Sequence, residues 1–296
     1  MMKCLVGIDT EGRYEEVLDL LGKLKFEIEE TTLLHANEPL QVSYPYSAYG
    51  MFCETDELAA ILQKVGNDAL FSATEFAEKL NLHPKPVSIE GFPINSLNEM
   101  AANRSIDLIA VTSSVRSSVG AFFGGSVARG LVINSKQSLL VARQGFNTDH
   151  PLKVVFATDQ SPYCGECMKA LIKMVPKGIT EMTVLTVYER SKHESVLALM
   201  RGGNKQETLD QTAAKLTAKA EELAKWLTEN GIPSISKLVS GNVEETIHNF
   251  MHQSKADLLI VGSQGHGFLD RLVIGSTSLH QVTGEQYPVL VLRTHL

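Results

Sequence analysis

Lys3-Cys4-Leu5-Val6-Gly7-Ile8-Asp9, near the start of the chain, is answered by Lys153-Val154-Val155-Phe156-Ala157-Thr158-Asp159 at an offset of 150 (159 − 9). The same offset carries Asp107-Leu108-Ile109-Ala110-Val111 to Asp257-Leu258-Leu259-Ile260-Val261, Gly125-Ser126 to Gly275-Ser276, Gly91 to Gly241 and Arg143 to Arg293. A period of one domain length, held from the first strand to the last, is a duplicated domain rather than a short solenoid repeat. Within each copy, short apolar β-rich runs alternate with longer segments of helical period, the pattern of βαβ units on a parallel sheet. The expected architecture is therefore α/β. It comprises two tandem Rossmann-like domains, 1–146 and 151–296, each an open, mainly parallel five-stranded sheet flanked by helices. The polar, turn-rich run Gly145–Pro151 joins them.

In the second copy the strands read Lys153–Thr158, Met182–Tyr188, Ile235–Val239, Leu258–Gly262 and Val289–Leu292. They are near-continuous apolar runs, as expected where helices cover both faces of a sheet. The spacing predicts a helix over Leu209–Asn230, because Leu209, Ala213, Leu216, Ala220, Leu223 and Leu227 step by four and three along one stripe. Thr208 with Gln211 reads as a capping box at its start, Gly231 as its C′ residue, and Pro233 as the stop. Leu58, Leu62, Val65, Ala69, Phe76 and Leu80 predict the matching helix of the first copy. Two segments, Glu38–Cys53 and Glu189–Gln206, break the pattern after the second strand of each copy and read as long covering loops.

The chain of 296 residues carries a net charge of −7, which argues against nucleic acid or an anionic membrane as a bulk partner. No apolar run approaches the roughly 20 residues of a membrane span, and the start is too short in apolar residues for a secretory leader. A reducing cytoplasm is expected for the four cysteines Cys4, Cys53, Cys164 and Cys167, which make a poor disulfide framework.

The two copies differ in residues suited to a ligand. In the second, Gly262-Ser263-Gln264-Gly265-His266-Gly267 follows the fourth strand, and Gly275-Ser276-Thr277-Ser278 opens the last helix. Glycines let main chain approach an anion, a helix start presents unpaired N–H groups and a favourable dipole, and the hydroxyls of Ser276, Thr277 and Ser278 add donors. Asp159, at the carboxyl end of the first strand, suits a base amine or a ribose hydroxyl. The first copy keeps Asp9, Gly125 and Ser126 but places Thr112 and Val115 where Gly262 and Gly265 stand. The β-branched Val115 brings bulk where phosphate needs bare backbone, so this copy reads as a degenerate site.

The spacing Gly262-x2-Gly265-x9-Gly275-Ser276 resembles the G-2x-G-9x-G-(S/T) nucleotide motif of the universal stress protein family. Strand order, the Asp ending the first strand and the terminal Pro288-Val289-Leu290-Val291 extend that resemblance over the whole chain, twice. The resemblance implies a cytoplasmic stress-response sensor or regulator whose second domain binds ATP, with or without Mg2+ on its phosphates. Asp159 and the backbone near Val187 would hold the adenosine. Gly262, Gly265, Gly275 and Ser276, with Thr277 and Ser278 beside them, would hold the phosphates. It also implies pairing of the two domains through Ser138–Ala142 and Val289–Leu292, and a homodimer beyond that. No Walker A lysine and no acidic pair for a metal is evident, so binding with at most slow hydrolysis is expected.

Other residues keep other readings open. Cys164-Gly165-Glu166-Cys167 starts a helix, where a thiol pKa falls, so a redox switch is physically reasonable. Buried small residues at a helix–sheet seam are the plainer reading. His248 and His252 share a helix face, more simply as a solvated face than as metal ligands. A nucleotide-independent scaffold or small-ligand binder is the third alternative.

Overall fold

The computed structural model describes residues 1–39, 55–113, 125–189, 205–264 and 274–294. The chain divides into two compact units, Met1–Asn147 and Thr148–Leu296. The first contains β1 (Met2–Gly7), α1 (Glu15–Leu24), β2 (Ile28–Asn37), α2 (Thr55–Lys79), β3 (Pro84–Glu90), α3 (Pro93–Asn103), β4 (Leu108–Ser113), α4 (Ser126–Asn134) and β5 (Ser138–Arg143). The second repeats the order as β6 (Leu152–Thr158), α5 (Pro162–Lys173), β7 (Ile179–Tyr188), α6 (Lys205–Glu229), β8 (Ser234–Ser240), α7 (Val243–Ser254), β9 (Leu258–Gly262), α8 (Ser276–Gly284) and β10 (Val289–Leu292).

Within the first unit the sheet runs β3-β2-β1-β4-β5, every pairing parallel. Within the second it runs β8-β7-β6-β9-β10, again parallel. Parallel strands require crossovers, and helices supply them. Chain order reverses between β1 and β4, and between β6 and β9. At such a switch point the following loops leave on opposite faces and open a crevice at the carboxyl ends of the strands.

The interior is built from the apolar runs read in the sequence. Leu5, Leu108, Ile109, Leu139, Phe156, Leu259 and Ile260 are fully buried. α1 turns Val17, Leu18, Leu20, Leu21 and Leu24 inward, each buried leucine stabilising by about 2 kcal/mol. Its first turn carries Glu15 and Glu16 and its last turn Lys23, the charge order a helix dipole favours.

One repeated residue is pure scaffold. β1 and β6 both slip register after their first residue, at Met2/Lys3 and Leu152/Lys153. There the N–H of Lys3 donates to Asp107 Oδ2 at 2.8 Å, and that of Lys153 to Asp257 Oδ2 at 2.8 Å. A carboxylate satisfies the same amide in both copies.

The long helices correct two readings. α6 begins at Lys205, so Thr208 is interior and no cap; its carbonyl accepts from Thr212 Oγ1 at 2.8 Å. The inward stripe of α6 stands as expected, with Leu209, Ala220 and Leu227 buried, and Gly231 at φ 87 ends the helix in the left-handed conformation. In α2, however, Val65 is 41% exposed and the buried line is Gly66, Leu70, Ala73 and Ala77. The stripe is displaced by one residue because Gly66 lies directly over His35 of β2: a Cβ on Gly66 would sit 2.2 Å from His35 Nε2. His35 is buried, and its Nδ1 meets the Ile8 carbonyl at 2.9 Å.

Candidate functional site

At the switch point of the second unit, Ala157 of β6 pairs with Val261 of β9. Gly262 therefore lies level with Thr158, one residue before Asp159, at the ends of adjacent strands. Asp159 is half-buried; its Oδ1 accepts from the Ser161 N–H at 3.0 Å. Ser161 caps α5, its Oγ accepting from the Cys164 N–H at 3.2 Å, with Pro162 at the first helical position, where no N–H is needed.

On the other side of the crevice the chain after β9 is pinned. The Ser263 N–H donates to Leu292 O at 3.0 Å, and the Gly275 N–H to Ser263 O at 2.8 Å. Ser263 Oγ meets the Tyr163 hydroxyl at 2.6 Å. Gly275 precedes α8 with φ −68 and ψ 146, no side chain caps that helix, and its first turn holds no acidic residue. Ser276 is exposed and Thr277 half-buried, so the helix start is presented with its positive end open.

Ser278 departs from expectation. It is buried, and its Oγ donates to Gly262 O at 2.6 Å. Its hydroxyl hydrogen ties the helix to the strand end and is spent there rather than offered to a ligand. A Cβ on Gly262 would meet Cys167 Sγ and Tyr163 Cε1 at 3.4 Å, ordinary contact, so neighbours do not force glycine at this position. Val187 is half-buried in β7, paired with Val239. Gly265, with His266, Gly267 and Arg271, lies outside the described residues, as do most of the loops after β2 and β7 and the run containing Val115.

The first unit arranges the equivalent carboxylate differently. Asp9 Oδ2 accepts from Arg13 Nε at 2.7 Å, and Oδ1 accepts from the N–H groups of Glu11 and Arg13 at 3.1 and 3.2 Å. Both oxygens are engaged by its own loop, including a guanidinium four residues on. Position 163, where Arg13 would repeat, is Tyr163. The helix start differs as well: Gly125 stands at φ 97, a left-handed entry, where Gly275 does not.

The cysteines correct the expectation of lowered pKa. Cys164 and Cys167 are buried and free. Burial pushes the Cys164 thiol up to about 11, with the nearby Asp159 carboxylate adding to it. Burial raises Cys167 as well, and Cys164 adds to it. Desolvation of a thiolate outweighs a helix start here. Cys167 instead points Sγ at Leu292 O, 3.6 Å away. His248 and His252 do share a face, ring centroids 4.5 Å apart. His248 Nδ1 meets the buried Glu285 at 2.8 Å, and among the described residues no three His, Cys, Asp or Glu side chains gather to hold a metal.

Two site residues escaped the sequence reading. Tyr163 was legible from the repeat itself, as the partner of Arg13. Gln160, left-handed at φ 58 and buried beside Asp159, carries no sequence signal.

The universal stress protein family matches this chain twice, over residues 1–143 and 152–293, and the chain belongs to that family. A universal stress protein of Synechocystis sp. is 22% identical over 203 residues, 69% of this chain and 63% of that protein, so this chain spans only part of that relative. One from Methanocaldococcus jannaschii is 25% identical over 141 residues, 48% of this chain and 81% of its own length. Among solved structures, a universal stress protein from Archaeoglobus fulgidus matches with a TM-score of 0.69 at 17% identity, covering 98% of both chains; at that identity the likeness is one of fold. No helix among the described residues is long and apolar enough to cross a membrane.

Proposed function

We propose that the chain binds ATP or a related nucleotide in its second unit and acts as a cytoplasmic stress-response sensor or regulator, with little or no turnover. Asp159 receives ribose hydroxyls, and the backbone near Val187 meets the base. Gly262, Gly265, Gly275, Ser276 and Thr277 receive the phosphates, with any Mg2+ carried on the nucleotide. Ser278 serves indirectly, holding Gly262 against α8. The observation that carries this reading is the contrast between the two carboxylates. Asp9 is closed by Arg13, while the corresponding place beside Asp159 is a tyrosine turned to Ser263.

Calorimetric titration with ATP of the full chain tests it. One binding event is expected, weakened about tenfold to a hundredfold by Asp159→Ala, since charge-assisted hydrogen bonds are lost, and unchanged by Asp9→Ala. No binding by the wild-type chain, or binding that only Asp9→Ala removes, would overturn the proposal.

A further inference from the structure

Between α5 and α6 lies a cleft of about 210 Å³, lined by Gln160, Pro162, Gly165, Met168, Lys219 and Leu223, with Ser161 beside them. The amide of Gln160 is spent on the fold. Its Nε2 donates to Thr186 Oγ1 at 3.0 Å and to Leu216 O at 2.8 Å, and its Oε1 is buried without a partner. Pro162, Met168 and Leu223 supply apolar walls, and Lys219 is the only charged residue among those lining the cleft. None of the residues assigned to the nucleotide lines it.

Two residues of the cleft serve the fold poorly. Gly165 lies within α5, where glycine is destabilising relative to alanine. Packing does not require it, since a Cβ there would meet no atom within 4 Å, and its φ lies outside the left-handed range. Lys219 donates from Nζ to the carbonyl oxygen of Gln160 at 2.8 Å. That contact takes one of three ammonium hydrogens, and among the described residues no carboxylate balances the charge. The first unit, built on the same order of elements, has Glu15 and Ala69 at these two positions. The second unit thus exchanges a carboxylate for bare main chain and a methyl for an ammonium, and the shared fold needs neither change.

We propose that this cleft is a second ligand site, for a small monocarboxylate with an apolar body. The carboxylate pairs with Lys219, and the body lies over Gly165 against Pro162, Met168 and Leu223. An apolar slot with one convergent charged group is the usual form of a small-molecule site. Since a cavity of about 150 Å³ admits benzene, the room suits a ligand of about eight to ten non-hydrogen atoms. The inference stands whether or not the nucleotide reading does.

Titration of the full chain with phenylacetate and with its neutral analogue phenylacetamide tests it by NMR of methyl-labelled methionine. The Met168 methyl, identified by its loss in Met168→Leu, reports on the cleft. A saturable shift is expected with the acid at about millimolar affinity, and about tenfold weaker binding of the amide. Lys219→Met is expected to erase the preference for the acid. Gly165→Glu, the first unit's residue, is expected to abolish the shift without lowering the melting temperature, because open space receives the side chain. A Met168 methyl that does not move, equal affinities for acid and amide, or a preference that survives Lys219→Met overturns the proposal. Should Lys219→Met fail to fold, undiminished binding in Gly165→Glu overturns it alone.

Discussion

Asp9 and Asp159 occupy the same place in the two units, yet one is held by a guanidinium and the other accepts from the Ser161 N–H ahead of α5. Arg13 reaches back to Asp9 at 2.7 Å. Tyr163, its counterpart, turns away to Ser263 at 2.6 Å. Asp107 and Asp257 show the opposite case, each accepting the same main-chain N–H at 2.8 Å. A duplicated fold thus sorts its own residues. Matching partners mark scaffold, and diverging partners mark positions released to specialise.

The divergence extends into the core and the helix seams. The first unit sets His35 beneath Gly66, whereas the second has Thr186 and Leu216 at those positions, because β7 runs one residue ahead of the offset of 150 in its strand pairing. Between α3 and the end of α4 the first unit pairs Ser135 Oγ with Asn98 at 2.6 Å, and the second pairs His248 with Glu285 at 2.8 Å at the equivalent seam.

Breaking the His35–Gly66 arrangement should have the largest effect. Gly66→Val forces a Cβ into the imidazole and is expected to cost about 2–3 kcal/mol in urea denaturation. His35→Thr combined with Gly66→Leu, the second unit's pair, is expected to recover most of that loss. A double variant no better than Gly66→Val would show that the two cores are not interchangeable.

Importing the clamp comes next. Tyr163→Arg gives Asp159 a guanidinium four residues on, as Arg13 stands to Asp9, and ATP affinity should fall about tenfold with the melting temperature little changed. Unchanged affinity would mean that the clamp does not separate the two sites.

The smallest effect appears only in alkali. The Cys164 thiol rises from 9.0 to about 11 on folding, chiefly through burial. A raised pKa favours the protonated form in the native state. Its stabilisation is therefore complete below pH 9, and is lost as pH climbs from there through about 11. Native Cys164 should accordingly resist alkylation at pH 7.5 in peptide mass spectrometry. Cys164→Ser should lessen the fall in urea midpoint between pH 8 and 10.5. Rapid labelling at pH 7.5 would restore the redox reading.

Much of this was legible from local pattern. β9 and β10 fall where the runs Leu258–Gly262 and Val289–Leu292 placed them, because a buried parallel strand is a short apolar run with little else to specify. The start of α6 was misjudged because Leu209 begins the apolar stripe, while the good helix formers Lys205, Gln206 and Glu207 extend the helix ahead of it. The stripe of α2 slipped for a different reason. Its contact with β2 is made by a glycine, which hydrophobic periodicity does not count.

The order of strands and helices, the duplication and the glycine-and-hydroxyl spacing after the fourth strand were determined by sequence alone, since periodicity and composition are properties of short stretches of chain. The fates of Ser278, Cys164, Arg13 and Gln160 were decided only by tertiary structure. Whether a hydroxyl donates inward, a thiol is desolvated, a carboxylate is clamped or an amide oxygen is left over depends on partners distant in sequence or on the turn adopted between elements, and on how far packing excludes water.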